Sequence, residues 1–160
     1  MKRILVVSLV TLGVSIAWAF EADKEADHKD GHVIVTPDKL QWKANPNLPP
    51  GAQTAVLSGD PSKAGALYVF RAKLPDGYKV PPHWHPSDEN VTVIQGTMQI
   101  GTGDKFDSSK LASVPAGSFM RMPKEMKHFA TAKGETIVQV HGIGPFEINY
   151  VNPADDPRKK

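Results

Sequence analysis

Residues 77–96 read Gly77-Tyr78-Lys79-Val80-Pro81-Pro82-His83-Trp84-His85-Pro86-Ser87-Asp88-Glu89-Asn90-Val91-Thr92-Val93-Ile94-Gln95-Gly96. Pro81, Pro82 and Pro86 forbid a helix here, because proline lacks the amide donor and restricts the residue before it. The chain is therefore extended through His83 and His85. A strand alternates its side chains between faces with period two, so the two imidazoles point the same way. Pro86-Ser87-Asp88 reads as a bend. Glu89 opens a β-branched run that favours a strand. Gly96 ends that run as a turn.

A second segment follows about twenty residues later, with Gly117, Pro123 and His128 at fixed offsets. Residues 118–122 read as a strand, 123–126 as a turn, and 128–131 as the return strand. His83, His85, Glu89 and His128 can thus converge on one metal ion. A lone His-x-His is most often a pair of half-exposed strand histidines. The carboxylate four residues on and the third imidazole turn the balance toward a metal site. Three neutral nitrogens and one anionic oxygen suit one borderline divalent transition ion, with Fe, Mn, Ni, Cu, Co and Zn all open. The absence of cysteine argues against a thiolate-built structural zinc site.

The two segments resemble the cupin superfamily, whose motifs run G-x5-H-x-H-x3-4-E-x6-G and G-x5-P-x-G-x2-H-x3-N. The first matches at every fixed position from Gly77 to Gly96. The second matches at Gly117, Pro123 and His128. It departs at Glu125, where the family carries glycine, and at Ala132, where it carries asparagine. Neither departure removes a ligand. The stretch His83-x-His85-Pro86-x-x-Glu89-x-Val91-Thr92-Val93 is also similar to that of small exported bacterial single-domain cupins. The resemblance, over roughly residues 64–150, implies a small double-stranded β-helix, or jelly-roll, barrel. It also implies a homodimer and, for activity, a dioxygenase-like enzyme. A decarboxylase, lyase or isomerase would use the same cage.

The rest of the chain agrees with an all-β reading. Fourteen prolines and thirteen glycines cut it into short segments. Strands are expected at residues 32–35, 54–57, 66–74, 97–101, 134–140 and 146–151. Residues 107–111 should form one helical turn capped by Asp107 or Ser108. Residues 45–51 are a loop rich in proline and asparagine. The cupin domain is expected to span residues 32–152, with motifs at 77–96 and 117–128. Residues 153–160 are expected to form a solvated tail.

The N-terminus reads as a secretory signal. Met1-Lys2-Arg3 is basic, residues 4–17 are uncharged and apolar, and Ala17-Trp18-Ala19 is a cleavage site. Cleavage between Ala19 and Phe20 would deliver the protein to the periplasm or beyond, with no stable membrane insertion. Residues 20–31 read as a flexible, highly charged segment. His28 and His32 fall at its end, and solvated side chains explain them better than ligation. The precursor carries 19 basic and 17 acidic residues. Removing residues 1–19 takes away Lys2 and Arg3, so the remainder is formally neutral. With no basic patch and no helix-turn-helix pattern, nucleic-acid binding is not expected.

Parity nominates the side chains around the metal. Glu89, Val91, Val93 and Gln95 should share the lumen face, which makes Gln95, the one amide there, a catalytic candidate. Arg121, between Met120 and Met122, is a catalytic candidate if it points inward to anchor a carboxylate or enolate. An outward arginine in a surface ion pair fits the sequence equally well. His141 is a candidate too, though a strand histidine away from the pocket is the simpler reading. Tyr68 and Tyr150 are unassigned pocket candidates, and Trp84 should lie outside the site. Met98, Met120, Met122 and Met126 read as core filling. Two functions remain open: a metal-dependent enzyme acting on a small molecule, and a non-catalytic cupin that binds a metal or small ligand. An inward acid, base or anion anchor favours the first, and a purely aliphatic lining the second.

Overall fold

The structure is a computed structural model that describes residues 32–160. The expected signal peptide, the charged segment 20–31 and His28 lie outside the described residues. Among the described residues nine strands form one curled antiparallel sheet. They are β1 (Lys43–Ala44), β2 (Gln53–Gly59), β3 (Leu67–Leu74), β4 (Lys79–Trp84) and β5 (Glu89–Thr102), then β6 (Ala112–Pro115), β7 (Phe119–Met122), β8 (His128–Ile143) and β9 (Asn149–Tyr150). The order is β1-β2-β3-β8-β4-β9, and β5 pairs with β8 while also carrying β6 and β7. This is the all-β jelly-roll barrel expected from the sequence.

Two long strands make the sheet curl. The second half of β8 pairs with β3, from Thr136↔Leu74 to Ile143↔Leu67. Its first half pairs with β4 through Thr131↔Lys79 and His128↔His83. Along its other edge β8 follows β5 from Asn90↔His141 to Thr102↔His128. One strand thus borders two different neighbours, and the sheet must bend between them. The bend falls at Gln95 and Gly96, where the β5–β8 register shifts on both sides of Gln95. Gly96 has φ +73°, a left-handed conformation that glycine adopts without steric cost.

Gly96 therefore does not end the strand as expected; β5 runs through it as a bulge. The bulge also seats the second motif. The amide of Ala116 donates to the Gly96 carbonyl at 3.0 Å, and that of Gly117 donates to the Val93 carbonyl at 2.8 Å. The closing glycine of one motif and the opening glycine of the other thus meet in space.

Alternation fills the core. Along β3, Tyr68, Phe70, Ala72 and Leu74 are buried while the residues between them are not. Val91 and Val93 of β5 and Val138 and Val140 of β8 complete the inner face. Burial of such side chains drives closure of the barrel, at about 1.5–3 kcal/mol for each large one.

Three local expectations are revised. Residues 32–35 form no strand and pair with none among the described residues, and Val33 and Ile34 are exposed. β-Branched composition alone does not make a strand without an edge to bond to. Of residues 146–151, only Asn149 and Tyr150 pair. The tail is less solvated than its charge suggests. Asp156 is buried, accepts from the Arg158 amide at 3.0 Å and from its guanidinium, and Arg158 also donates to the Ile148 carbonyl at 3.0 Å. The turn at Asp107 forms as expected, with its carboxylate accepting from the Ser109 amide at 2.9 Å.

Glu125 holds φ +63°, the left-handed conformation that the cupin glycine would adopt at this position. A non-glycine residue pays about 1–2 kcal/mol there. Part of that gain is offset by the greater unfolded-state freedom of glycine. Glu125→Gly is therefore expected to stabilise the protein by about 1 kcal/mol in urea unfolding. Destabilisation by that amount would show that the turn is not strained.

Candidate metal centre

The register of the barrel assembles the site. His83, near the end of β4, lies opposite His128, the first residue of β8. A bulge between Val80 and His83 keeps both on the lumen face despite their odd spacing. His85 follows just after β4, and Glu89 is the first residue of β5. Loop contacts lock these ends together. The Glu125 amide donates to the His85 carbonyl at 2.8 Å, and the Lys124 amide donates to Asp88 Oδ1 at 2.9 Å. The turn of the second motif thus holds the bend of the first.

All four side chains are buried. Each imidazole has one nitrogen committed to a backbone carbonyl. His83 Nδ1 lies 2.7 Å from the Pro81 carbonyl, His85 Nδ1 2.6 Å from that of Glu147, and His128 Nδ1 2.9 Å from that of Met126. A carbonyl can only accept, so each Nδ1 carries the proton and each Nε2 presents a lone pair in the neutral ring. One ligand nitrogen from each ring lies within 4.8 Å of those of the other two. Glu89 Oε2 sits 3.3 Å from His85 Nε2 and 3.4 Å from His128 Nε2. The first contact is close but not aligned as a hydrogen bond, so His85 Nε2 is buried without a partner.

Imidazole nitrogens and a carboxylate facing one another in a buried cluster can share a proton or bind a metal cation. The three histidines can hold a metal ion, and the carbonyls on their far nitrogens orient them for it.

Electrostatics agree. Burial, and then the neighbouring rings of His128 and His85, push the His83 imidazole down to about 3, so it stays neutral. Burial opposes ionisation of Glu89, but the His85 and His128 imidazoles overcome that penalty and hold the carboxyl well below its usual range. Burial also disfavours charge on His85, yet the Glu89 carboxylate outweighs it and raises this imidazole above its usual range. The cluster is anionic at Glu89, and its one stabilised proton would leave when a divalent ion enters.

The cluster forms the polar end of a cavity whose empty space, mouth included, is about 760 Å³. Val91, Met98, Met120, Met122, Val138 and Phe146 are among its apolar walls. Phe146 stacks on the His85 ring at 4.9 Å between centroids and 26° between planes.

Three catalytic candidates lie elsewhere. Gln95 is exposed, and its amide donates to Glu135 Oε1 at 3.3 Å. The bulge adds a residue there and breaks the parity that pointed it inward. Arg121 faces outward with its side chain 60% exposed, 3.4 Å from Asp88. Met120 and Met122 take the inward positions beside it. His141 is half-buried on the outer face between Val69 and Asn90, its ring 6.4 Å from that of Phe119.

Tyr68 is fully buried but packs its ring against Phe70 and Phe146 rather than lining the cavity. Burial, with a smaller push from Glu89, raises its hydroxyl to about 12. Trp84 lies outside the site, and three of the four methionines line the cavity. The loop carrying Asn45, Asn47 and Leu48 also lines it, a role its sequence did not suggest. That loop is held by two tyrosines. The Tyr78 hydroxyl donates to the Pro49 carbonyl, and the Tyr150 hydroxyl donates to the Asn47 carbonyl at 2.8 Å.

A jelly-roll barrel with three histidines converging at one end of its lumen defines a cupin. The ChrR cupin-like domain family matches residues 30–147, and the chain belongs to that family. No match is found among curated proteins. Among solved structures, the polyketide cyclase RemF from Streptomyces resistomycificus is similar at 17% identity and TM-score 0.62, over 79% of this chain and 89% of that one. KdgF from Halomonas sp. is similar at 17% identity and TM-score 0.54, over 71% and 94%. An RmlC-like cupin from Shewanella frigidimarina is similar at 12% identity and TM-score 0.53, over 76% and 93%. At these identities the likeness is one of fold alone.

Proposed function

We propose that this protein is a periplasmic cupin that holds one divalent transition metal on His83, His85, Glu89 and His128. We further propose that it acts as a metal-dependent, dioxygenase-like enzyme on a small oxygenated or anionic molecule. The observation that carries the metal reading is the trio of buried imidazoles with every Nδ1 at a backbone carbonyl and one ligand nitrogen of each ring within 4.8 Å of those of the other two. The periplasmic reading rests on the basic, apolar and Ala-x-Ala pattern of residues 1–19.

The choice among reactions follows from the lining. Outside the four ligands, no lining residue among those described is titratable. A lyase, isomerase or decarboxylase needs a side chain placed to move a proton. An oxygenase makes less of that demand, because a bound divalent ion supplies Lewis acidity and, if redox-active, electrons. The protein's part is to orient the imidazoles through their carbonyls, place the Glu89 charge and exclude water with apolar walls. The placement of Gln95, Arg121 and His141 outside the lumen favours a second reading, a non-catalytic cupin that binds a metal or small ligand.

Elemental analysis of the protein purified from periplasm, with no added metal and no His-tag, tests both. About one equivalent of iron, manganese, nickel or copper, with substrate-dependent oxygen uptake, is the outcome expected of the enzyme. Stoichiometric zinc without oxygen uptake supports the binding reading. Protein that carries no metal and refuses added divalent ions sinks the metal site.

A further inference from the structure

The lining of the cavity is poor in charge. Among the described residues that line it, Glu89 is the only acid, and there is no lysine or arginine. Its polar side chains beyond the metal cluster are the neutral amides of Asn45 and Asn47. The rest is hydrocarbon, thioether and aromatic ring, with Phe146 stacked against a candidate ligand, His85.

We infer that the ligand of this site is a monoanion: one carboxylate, phenolate or enolate end on a flat apolar body. The inference rests on the metal reading proposed above. A divalent ion against the single Glu89 charge leaves a local charge near plus one, because the imidazoles are neutral. One anionic oxygen end cancels it. A dianion would bury a second negative charge with no guanidinium or ammonium to meet it, which is costly in an apolar lumen. A sugar would lose water from several hydroxyls and find two amides in exchange. The methionine walls, with the Phe70 and Phe146 rings in the same lining, suit a planar ring, since thioethers pack favourably against aromatic groups.

Cobalt(II) makes this testable without knowing the reaction. The protein is loaded with one equivalent of Co(II), and its visible bands report ligand entry. Benzoate should shift the bands, with succinate and glucose weaker by roughly tenfold or more. Met120→Lys adds a cation to the wall at a half-buried position where a long side chain can adapt. It should narrow the benzoate-over-succinate preference by roughly fivefold, without loss of the cobalt bands.

Equal shifts by succinate, a shift by glucose, or silence with benzoate while the bands are present would overturn the inference and leave the metal site standing. A preference unmoved by Met120→Lys, with that variant folded and cobalt-loaded, would overturn the charge argument. Failure of the wild-type protein to develop cobalt bands would remove the metal reading and this inference with it.

Discussion

His128→Ala is expected to lower divalent-metal affinity by about a hundredfold or more and to abolish thermal stabilisation by the ion. Changes that merely disturb the orientation of a metal ligand cost roughly 10- to 100-fold, and deletion of a ligand should cost at least the upper value. The wild-type protein, at an ion concentration about a hundred times its Kd, should gain roughly 2.7 kcal/mol, or about 10 °C in Tm. His128 is 2% exposed and contributes both an imidazole and the hydrogen bond to the Met126 carbonyl. The variant will therefore lose some stability even without metal. The diagnostic quantity is the shift in Tm on adding ion, not the Tm itself. Glu89→Gln keeps the shape and removes the charge, and should reduce affinity by roughly tenfold. His141→Ala, on the outer face, should leave the metal-induced shift unchanged. A full shift retained in His128→Ala would refute its place in the site.

The convergence of the three histidines and Glu89 was legible because they lie where alternation is undisturbed or where chain bends are forced by proline. His83 and His85 share a face, and Pro86 turns the chain so that Glu89 returns toward them. Gln95 was misplaced for a specific reason. Counting by twos from Glu89 assumes a regular strand, and the extra residue at the bulge ends that regularity before Gln95. Arg121 was ambiguous because its flanks mislead: Phe119 is apolar yet 60% exposed, so the inward set is only Met120 and Met122. The stretch at residues 45–51 was read only as a loop. Its role in the cavity depends on hydroxyls from Tyr78 and Tyr150, 29 and 103 residues from their acceptors, and no local pattern encodes such contacts. Residues 32–35 show the opposite failure, a strand-like composition that pairs with no strand among the described residues.

The glycines of the two motifs should not be equivalent under mutation, and their difference tests the account of the bulge. Gly77, Gly96 and Gly117 all have positive φ, at +70°, +73° and +88°. Each should therefore resist alanine by about 1–2 kcal/mol from backbone strain alone. At Gly77 and Gly117 a Cβ would meet nothing within 4 Å, so strain is the whole cost. At Gly96 a Cβ would collide with the Glu135 carbonyl oxygen, and would lie 2.7 Å from Thr136 Oγ1 and 3.0 Å from Thr136 Cα. Backbone atoms of a central strand cannot yield as a flexible side chain can. Gly96→Ala is thus expected to cost about 3 kcal/mol or more, against about 1 kcal/mol for Gly117→Ala, measured by urea unfolding. The consequence should reach the metal centre. β5 carries Glu89 on one side of the bulge and the cavity residues Met98 and Ile100 on the other. Forcing β5 and β8 apart at Gly96 should also strain the hydrogen bonds that seat the Gly117 turn. Gly96→Ala should therefore weaken metal binding as well as stability, whereas Gly117→Ala should spare the metal. Equal costs at the two positions would mean that β5 and β8 do not approach as closely at the bulge as the curled sheet requires.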